Sequence, residues 1–180
     1  LSLGPMGPRF ERAFADWVGV KYAAAVSSGT AGLHLGLVQA GIGPGDEVIT
    51  SPFSFISSAN CVLHAGADVT FAEVDPISFN LDPAAVEAAI TPRTKAIVPV
   101  HIFGLPCKIE EIRAIADRHG LAIVEDGAEA LGAKRQGQMI GTHGSPTIFA
   151  FYPNKQMTTG EGGIVTTDDE AVYERILSLR

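Results

Sequence analysis

The chain has 180 residues, 46% hydrophobic and 18% charged, a balance that suits a globular domain with its own core and excludes a disordered chain. A formal net charge of −7 with no run of Lys or Arg argues against nucleic-acid binding and leaves room only for a local basic pocket. No apolar run reaches the length of a membrane span, no signal-peptide pattern opens the chain, and the two cysteines, Cys61 and Cys107, lack metal-ligand spacing; the reading is a cytoplasmic protein with free thiols, no membrane partner and no metal.

In chain order, Arg9 to Val18 has helical spacing, with Phe10, Phe14 and Trp17 on one face. Tyr22 to Val26 reads as a strand that runs into Ser27-Ser28-Gly29-Thr30, the chemistry of a helix start. A Leu-rich helix follows and ends at Gly41. Glu47 to Thr50 is a strand, Phe53 to Leu63 a helix, and Val69 to Val74 a strand. Asp82-Pro83 combines an N-cap with proline at the first helical position. Lys95 to Val100 is a strand despite Pro99, and Ile109 to Arg118 an amphipathic helix closed by Gly120. Leu121 to Val124 delivers Glu125-Asp126 at its end. Thr147 to Phe151 and Gly163 to Thr166 are strands, and Asp168 or Asp169 caps a last helix, Glu170 to Arg180. The alternation predicts one α/β domain over residues 1–180, with a mainly parallel sheet covered by helices on both faces. The chain opens on Leu1 and stops at Arg180 within a helical pattern, so it reads as a fragment of a longer protein.

Three elements carry chemistry. Ser28-Gly29-Thr30-Ala31 opens a helix, where free N–H groups and the helix dipole attract an anion such as phosphate, although the same tripeptide serves as an ordinary cap. Asp126 follows a hydrophobic strand and can face a cationic ring nitrogen, or can be a cap or a structural ion pair. Lys155 lies between a strand and the glycine-rich turn Gly160-Glu161-Gly162-Gly163, at a strand end where α/β proteins bind ligands and where a crowded amine attacks carbonyls. Amine, carboxylate and phosphate cradle together are what pyridoxal 5'-phosphate requires. Phe55 can stack on the ring or belong to the core. His101 at a strand end can line the site, whereas His34 and His64, in helical patterns, read as packing or surface positions and His143, in a glycine-rich loop, as exposed.

The order of these motifs resembles the pyridoxal-phosphate-dependent sugar aminotransferases of the DegT/DnrJ/EryC1/StrS family. The likeness runs through Ser28-Gly29-Thr30, Gly43-Pro44-Gly45-Asp46-Glu47-Val48-Ile49, Pro52-Phe53-Ser54-Phe55, Ile90-Thr91-Pro92-Arg93-Thr94-Lys95-Ala96-Ile97, Pro99-Val100-His101, Glu125-Asp126 and Gly160-Glu161-Gly162-Gly163. By that resemblance Lys155 is the catalytic lysine that bonds the cofactor's aldehyde and shuttles protons. Asp126 is the partner of the pyridine nitrogen, Gly29, Thr30 and Ala31 hold the phosphate, Phe55 packs on the ring, and Glu129 stands where the phenolic oxygen is met. The resemblance further implies a seven-stranded sheet of the aspartate-aminotransferase type, a separate C-terminal small domain beyond this chain, and a homodimer with shared sites. It also implies a nucleotide-linked keto-sugar substrate and an amino-acid donor such as glutamate.

Two positions depart from the family's pattern. Gly127-Ala128-Glu129 replaces Ala-Ala-Gln or Ala-Ala-His, and an ionised Glu129 would repel a phenolate unless protonated or turned away. Ala150 replaces a serine whose hydroxyl helps hold phosphate, a loss of about 1.5–3 kcal/mol. These departures motivate a second reading, a binding or regulatory module that keeps the fold with weak or no catalysis.

Overall fold

The computed structural model describes residues 4–180. Its strands are β1 (Tyr22–Val26), β2 (Glu47–Thr50), β3 (Asp68–Phe71), β4 (Thr94–Val98), β5 (Ala122–Ile123), β6 (Glu125–Asp126), β7 (Lys134–Arg135), β8 (Gln138–Met139), β9 (Thr147–Ala150) and β10 (Gly163–Thr167). The helices are α1 (Met6–Val18), α2 (Gly29–Gln39), α3 (Ser57–His64), α4 (Pro83–Ala88), α5 (Ile109–His119) and α6 (Glu170–Leu179). Two four-stranded ladders run β3-β2-β4-β5 and β1-β10-β9-β6. Only Val124 separates β5 from β6, and the Val124 and Asp126 N–H groups donate to the carbonyls of Ile97 and Pro99. The ladders are therefore one sheet, seven strands wide when β5 and β6 count as a single strand. Every neighbouring pair is parallel except those of β10, which runs against both β1 and β9.

The pleat sends successive side chains to opposite faces, and the core follows that period of two. Val48, Ala96, Val98, Ile148 and Val165 pack with α2, α3 and α6 on one face. Ile49, Ile97 and Ile123 pack with α4 and α5 on the other, and Phe149 and Ile164 with α1. Each buried Ile, Val or Phe contributes about 1.5–3 kcal/mol.

Several expected boundaries move. The helix predicted from Phe53 begins at Ser57, because Ser51 Oγ accepts the Phe53 N–H and returns its own proton to the Phe53 carbonyl, holding Pro52 to Ile56 in a turn. The strand predicted to Val74 stops at Phe71, where its partner β2 ends. Pro99 sits just past β4, so its missing N–H breaks no β4 pairing, while its carbonyl still serves Asp126. Trp17 tilts against Phe14 but stays about half exposed at 49%. The β7–β8 hairpin has strands of two residues each, too short to show a period in the sequence. Asp169 is the cap of α6, and both cysteines are free and buried. Among the described residues, no helix is long and apolar enough to cross a membrane.

Candidate active site

The C-terminal ends of β1, β2, β6 and β9 lie on one edge of the sheet, where the crevice of an open α/β sheet forms. From β1 the chain enters α2. Ser28 caps it: its side chain accepts the Ala31 N–H at 3.1 Å and its carbonyl the Gly32 N–H at 3.0 Å. The N–H groups of Gly29 and Thr30 are left without an intrahelical acceptor, as helix geometry requires. Ala31, expected among the phosphate positions, has its N–H taken by the cap. Glycine brings this helix start close to the sheet. A Cβ on Gly29 would stand 2.8 Å from the Ala150 Cβ, and one on Gly36 would stand 2.7 Å from Val124. Gly29, Gly32 and Gly36 thus let α2 rest directly on β9 and its neighbour, with the free N–H groups above the end of β9.

Asp126 ends β6 and is 5% exposed. Ser58 Oγ donates to its Oδ2 at 2.8 Å and the Ala128 N–H to its Oδ1 at 3.1 Å. Burial raises the Asp126 pKa above the ordinary aspartate value. The Ser58 hydroxyl, the Ala128 N–H and the positive charge of Lys155 pull it back. The carboxylate is desolvated, fixed from two elements, and still has lone pairs for a further donor.

Beyond β9, residues 152–162 form a loop tied at its base. The Phe151 N–H donates to the Gly162 carbonyl at 2.9 Å, and the Phe151 carbonyl accepts the Thr159 N–H at 3.0 Å. Phe151 is itself clamped by Phe10 and Phe14, with ring centroids 5.4 and 5.8 Å away. Lys155 rides on this loop, its N–H closing a turn onto the Tyr152 carbonyl. Its side chain is only 12% exposed, and Nζ lies 3.2 Å from Glu129 Oε1. The other Glu129 oxygen accepts the Phe103 N–H at 3.1 Å. Glu129 is therefore turned toward the lysine and a neighbouring turn, and it meets the cavity through Lys155.

A cavity of about 400 Å³ lies between these groups and is bounded by Gly29, Thr30, Phe55, Asp126, Ala150 and Lys155. Phe55 is at its mouth, 72% exposed, and not in the core. Ser57, Tyr152, Asn154 and Glu161 also reach the cavity. The sequence reading missed Ser57, Ser58, Tyr152 and Asn154. The last two could have been found by their closeness to Lys155, whereas the serines carry no motif signal. His101 does not line the site. It is fully buried, its Nδ1 accepts the Cys107 N–H at 3.1 Å, and its Nε2 faces Glu125 at 3.0 Å. His143 is half-buried, not exposed, because its loop folds back toward α5. Unpaired N–H donors at a helix start, a buried carboxylate and a primary amine around one cavity make a donor set that fits pyridoxal phosphate.

Comparison with known proteins places the chain among relatives. The DegT/DnrJ/EryC1/StrS aminotransferase family model matches residues 1–180. The chain is 51% identical to the spore coat polysaccharide biosynthesis protein SpsC of Bacillus subtilis, over 99% of this chain and 46% of that protein. It is 49% identical to the GDP-perosamine synthase of Caulobacter vibrioides, over 99% of this chain and 48% of that protein. The crystal structure of S. venezuelae DesV in complex with a ketimine intermediate superposes with a TM-score of 0.97 at 45% identity, covering 99% of this chain and 48% of DesV. The chain spans about half the length of the curated relatives it matches. With the whole chain matched and the site residues gathered on one sheet edge, the chain belongs to the DegT/DnrJ/EryC1/StrS aminotransferase family.

Proposed function

We propose that this chain is the cofactor-binding part of a pyridoxal-phosphate-dependent aminotransferase. In this reading it moves an amino group from an amino acid, glutamate by preference, to a keto sugar carried on a nucleotide, in amino-sugar biosynthesis. The observation that carries the reading is the convergence of the Gly29 and Thr30 N–H groups, the Asp126 carboxylate and the Lys155 amine on one cavity.

In this reading the α2 N-terminus holds the phosphate through those N–H groups and the helix dipole. Asp126, buried and held by Ser58 and Ala128, keeps a negative charge opposite the ring nitrogen. Phe55 at the mouth covers a ring face. When bound, pyridoxal phosphate supplies an electron sink for charge that develops at the amino acid's α-carbon. Lys155 is the flexible base beside the reacting atoms: Nζ accepts a proton or returns one, and Glu129, 3.2 Å away, is its counter-ion whenever it is protonated. The name of the GDP-perosamine synthase relative supports the nucleotide-sugar part of the reading. The working form in this reading is a homodimer in the cytoplasm.

The test is the absorbance spectrum of the purified protein with added pyridoxal phosphate, repeated after borohydride reduction and peptide mapping. A visible band that reduction fixes on Lys155 is expected. A folded protein with no band would leave the second reading, a binding or regulatory module with weak or no catalysis. That alternative draws on Ala150, which offers no hydroxyl beside Gly29, and on Glu129, which occupies the amine. Replacing both, Glu129→Gln with Ala150→Ser, separates the two: unchanged cofactor affinity would show that neither departure weakens the site.

A further inference from the structure

The first turn of α3 touches both ends of the cavity. Ser57 Oγ lies 2.7 Å from Thr30 Oγ1 at the α2 end, and the next residue, Ser58, donates to Asp126 at 2.8 Å. Ser58 is 1% exposed, and a buried hydroxyl is retained at a cost unless its hydrogen bonds are made. Its single proton has three acceptors in reach, the Asp126 carboxylate at 2.8 Å, the Ser54 hydroxyl oxygen at 2.7 Å and the Phe55 carbonyl at 3.3 Å. The contact to the charged acceptor prevails. The Ser54 hydroxyl, 2.7 Å from Ser58 Oγ, must then be a donor to it. The hydrogen bonds run in one direction, from Ser54 to Ser58 to Asp126, and such chains polarise toward their charged end.

We propose that Ser58 is a positioning residue for the cofactor site: with Ser54 behind it, its hydroxyl keeps the buried Asp126 carboxylate ionised and aimed into the cavity. The other groups facing Asp126 are the Ala128 N–H, His101, Lys155 and the Cys61 thiol. None of them replaces the hydroxyl on Oδ2. The lysine and the imidazole act over a distance, and Cys61 Sγ is turned to the Ser58 carbonyl at 3.3 Å. Burial already favours the neutral acid at Asp126, so the hydroxyl opposes it directly. The consequence for cofactor binding rests on the function proposed above, whereas the consequence for Asp126 itself does not.

The test uses the parent chain, Ser58→Ala and Ser58→Thr. Carboxyl ¹³C titration of the cofactor-free protein follows Asp126, assigned by the signal missing from Asp126→Asn. Pyridoxal phosphate titration by absorbance gives the affinity. Ser58→Ala is expected to raise the Asp126 midpoint by about one pH unit or more and to weaken pyridoxal phosphate binding about tenfold. Ser58→Thr, which keeps the hydroxyl, is expected to restore both. An unchanged midpoint in Ser58→Ala overturns the proposal, as does a shift in Ser58→Thr equal to that of Ser58→Ala, which would make the effect one of packing. If Ser58→Ala does not fold, Ser58→Cys takes its place, since a thiol fills the space but donates weakly, and the same upward shift is expected. A parent chain that binds no pyridoxal phosphate overturns the proposed function, and the Asp126 titration still decides the role of Ser58.

Discussion

Asp126 and Lys155 face the same cavity but are held in opposite ways. Asp126 ends a central strand, is almost fully buried, and is gripped on both oxygens by donors from different segments. Lys155 rides on a loop anchored at Phe151, and its amine is held by an ion pair to Glu129. The difference matches the two tasks that the proposed function gives them. A group that sets an electrostatic field must not move, because reorganisation would cancel the field. A group that carries a proton must travel, and a four-carbon stem on a loop permits that.

The largest break in this comparison comes from the arm. Lys155→Ala is expected to abolish borohydride-stable labelling by pyridoxal phosphate completely, while far-UV circular dichroism stays that of the parent. Labelling of another lysine at parental yield would remove the special role of Lys155. Gly29→Ala should come next, because its Cβ would stand 2.8 Å from the Ala150 Cβ, a methyl fixed to its own backbone with no rotamer to escape into. Overpacking of this kind costs about 1–3 kcal/mol, read as a fall in the midpoint of urea unfolding. Pyridoxal phosphate affinity should fall with it, since α2 must lift off β9.

Asp126 is tested through pH. The folded-state pKa of Asp126 lies above its unfolded value of about 3.9, so burial favours the protonated form. That contribution is full below the unfolded pKa and is lost as pH rises through the folded pKa. Asp126→Asn, which stays neutral, should therefore be at least as stable as the parent at neutral pH, and its advantage should close in acid. A parent that is the more stable at neutral pH would show that Ser58, Ala128 and the nearby charges outweigh desolvation. The smallest effect belongs to Glu129→Gln. The pair with Lys155 is partly open to solvent, so its loss should change stability by less than about 1 kcal/mol. Faster acylation of Lys155 in the cofactor-free variant would show that Glu129 shields the amine, and an unchanged rate would show that it does not.

Much of this was legible in the chain. The strands announced themselves because an apolar run buried on both faces has few other uses, and Asp82, Asp169 and Gly120 mark helix ends by local chemistry. Lys155, Asp126 and Gly29 were readable because each stands at a strand end or within a few residues after one. Phe55 was readable as a residue near the site, yet whether it was core or mouth depended on where α3 began, and a serine side-chain bond decided that. The place of His101 was open for a related reason: a strand end has two sides, and only packing decides which one a side chain takes.

The sequence alone determined the alternation of elements, the residues able to do chemistry, and the family, because these depend on local propensity and motif order. Only the tertiary structure decided that β5 and β6 join two ladders into one sheet, that Ser58 closes onto Asp126 across 68 positions, and that Glu129 pairs with Lys155. Those contacts join segments far apart in the chain. Their geometry is set by how closely the glycines of α2 and the pleat of the sheet let backbones approach, and no local pattern encodes that distance.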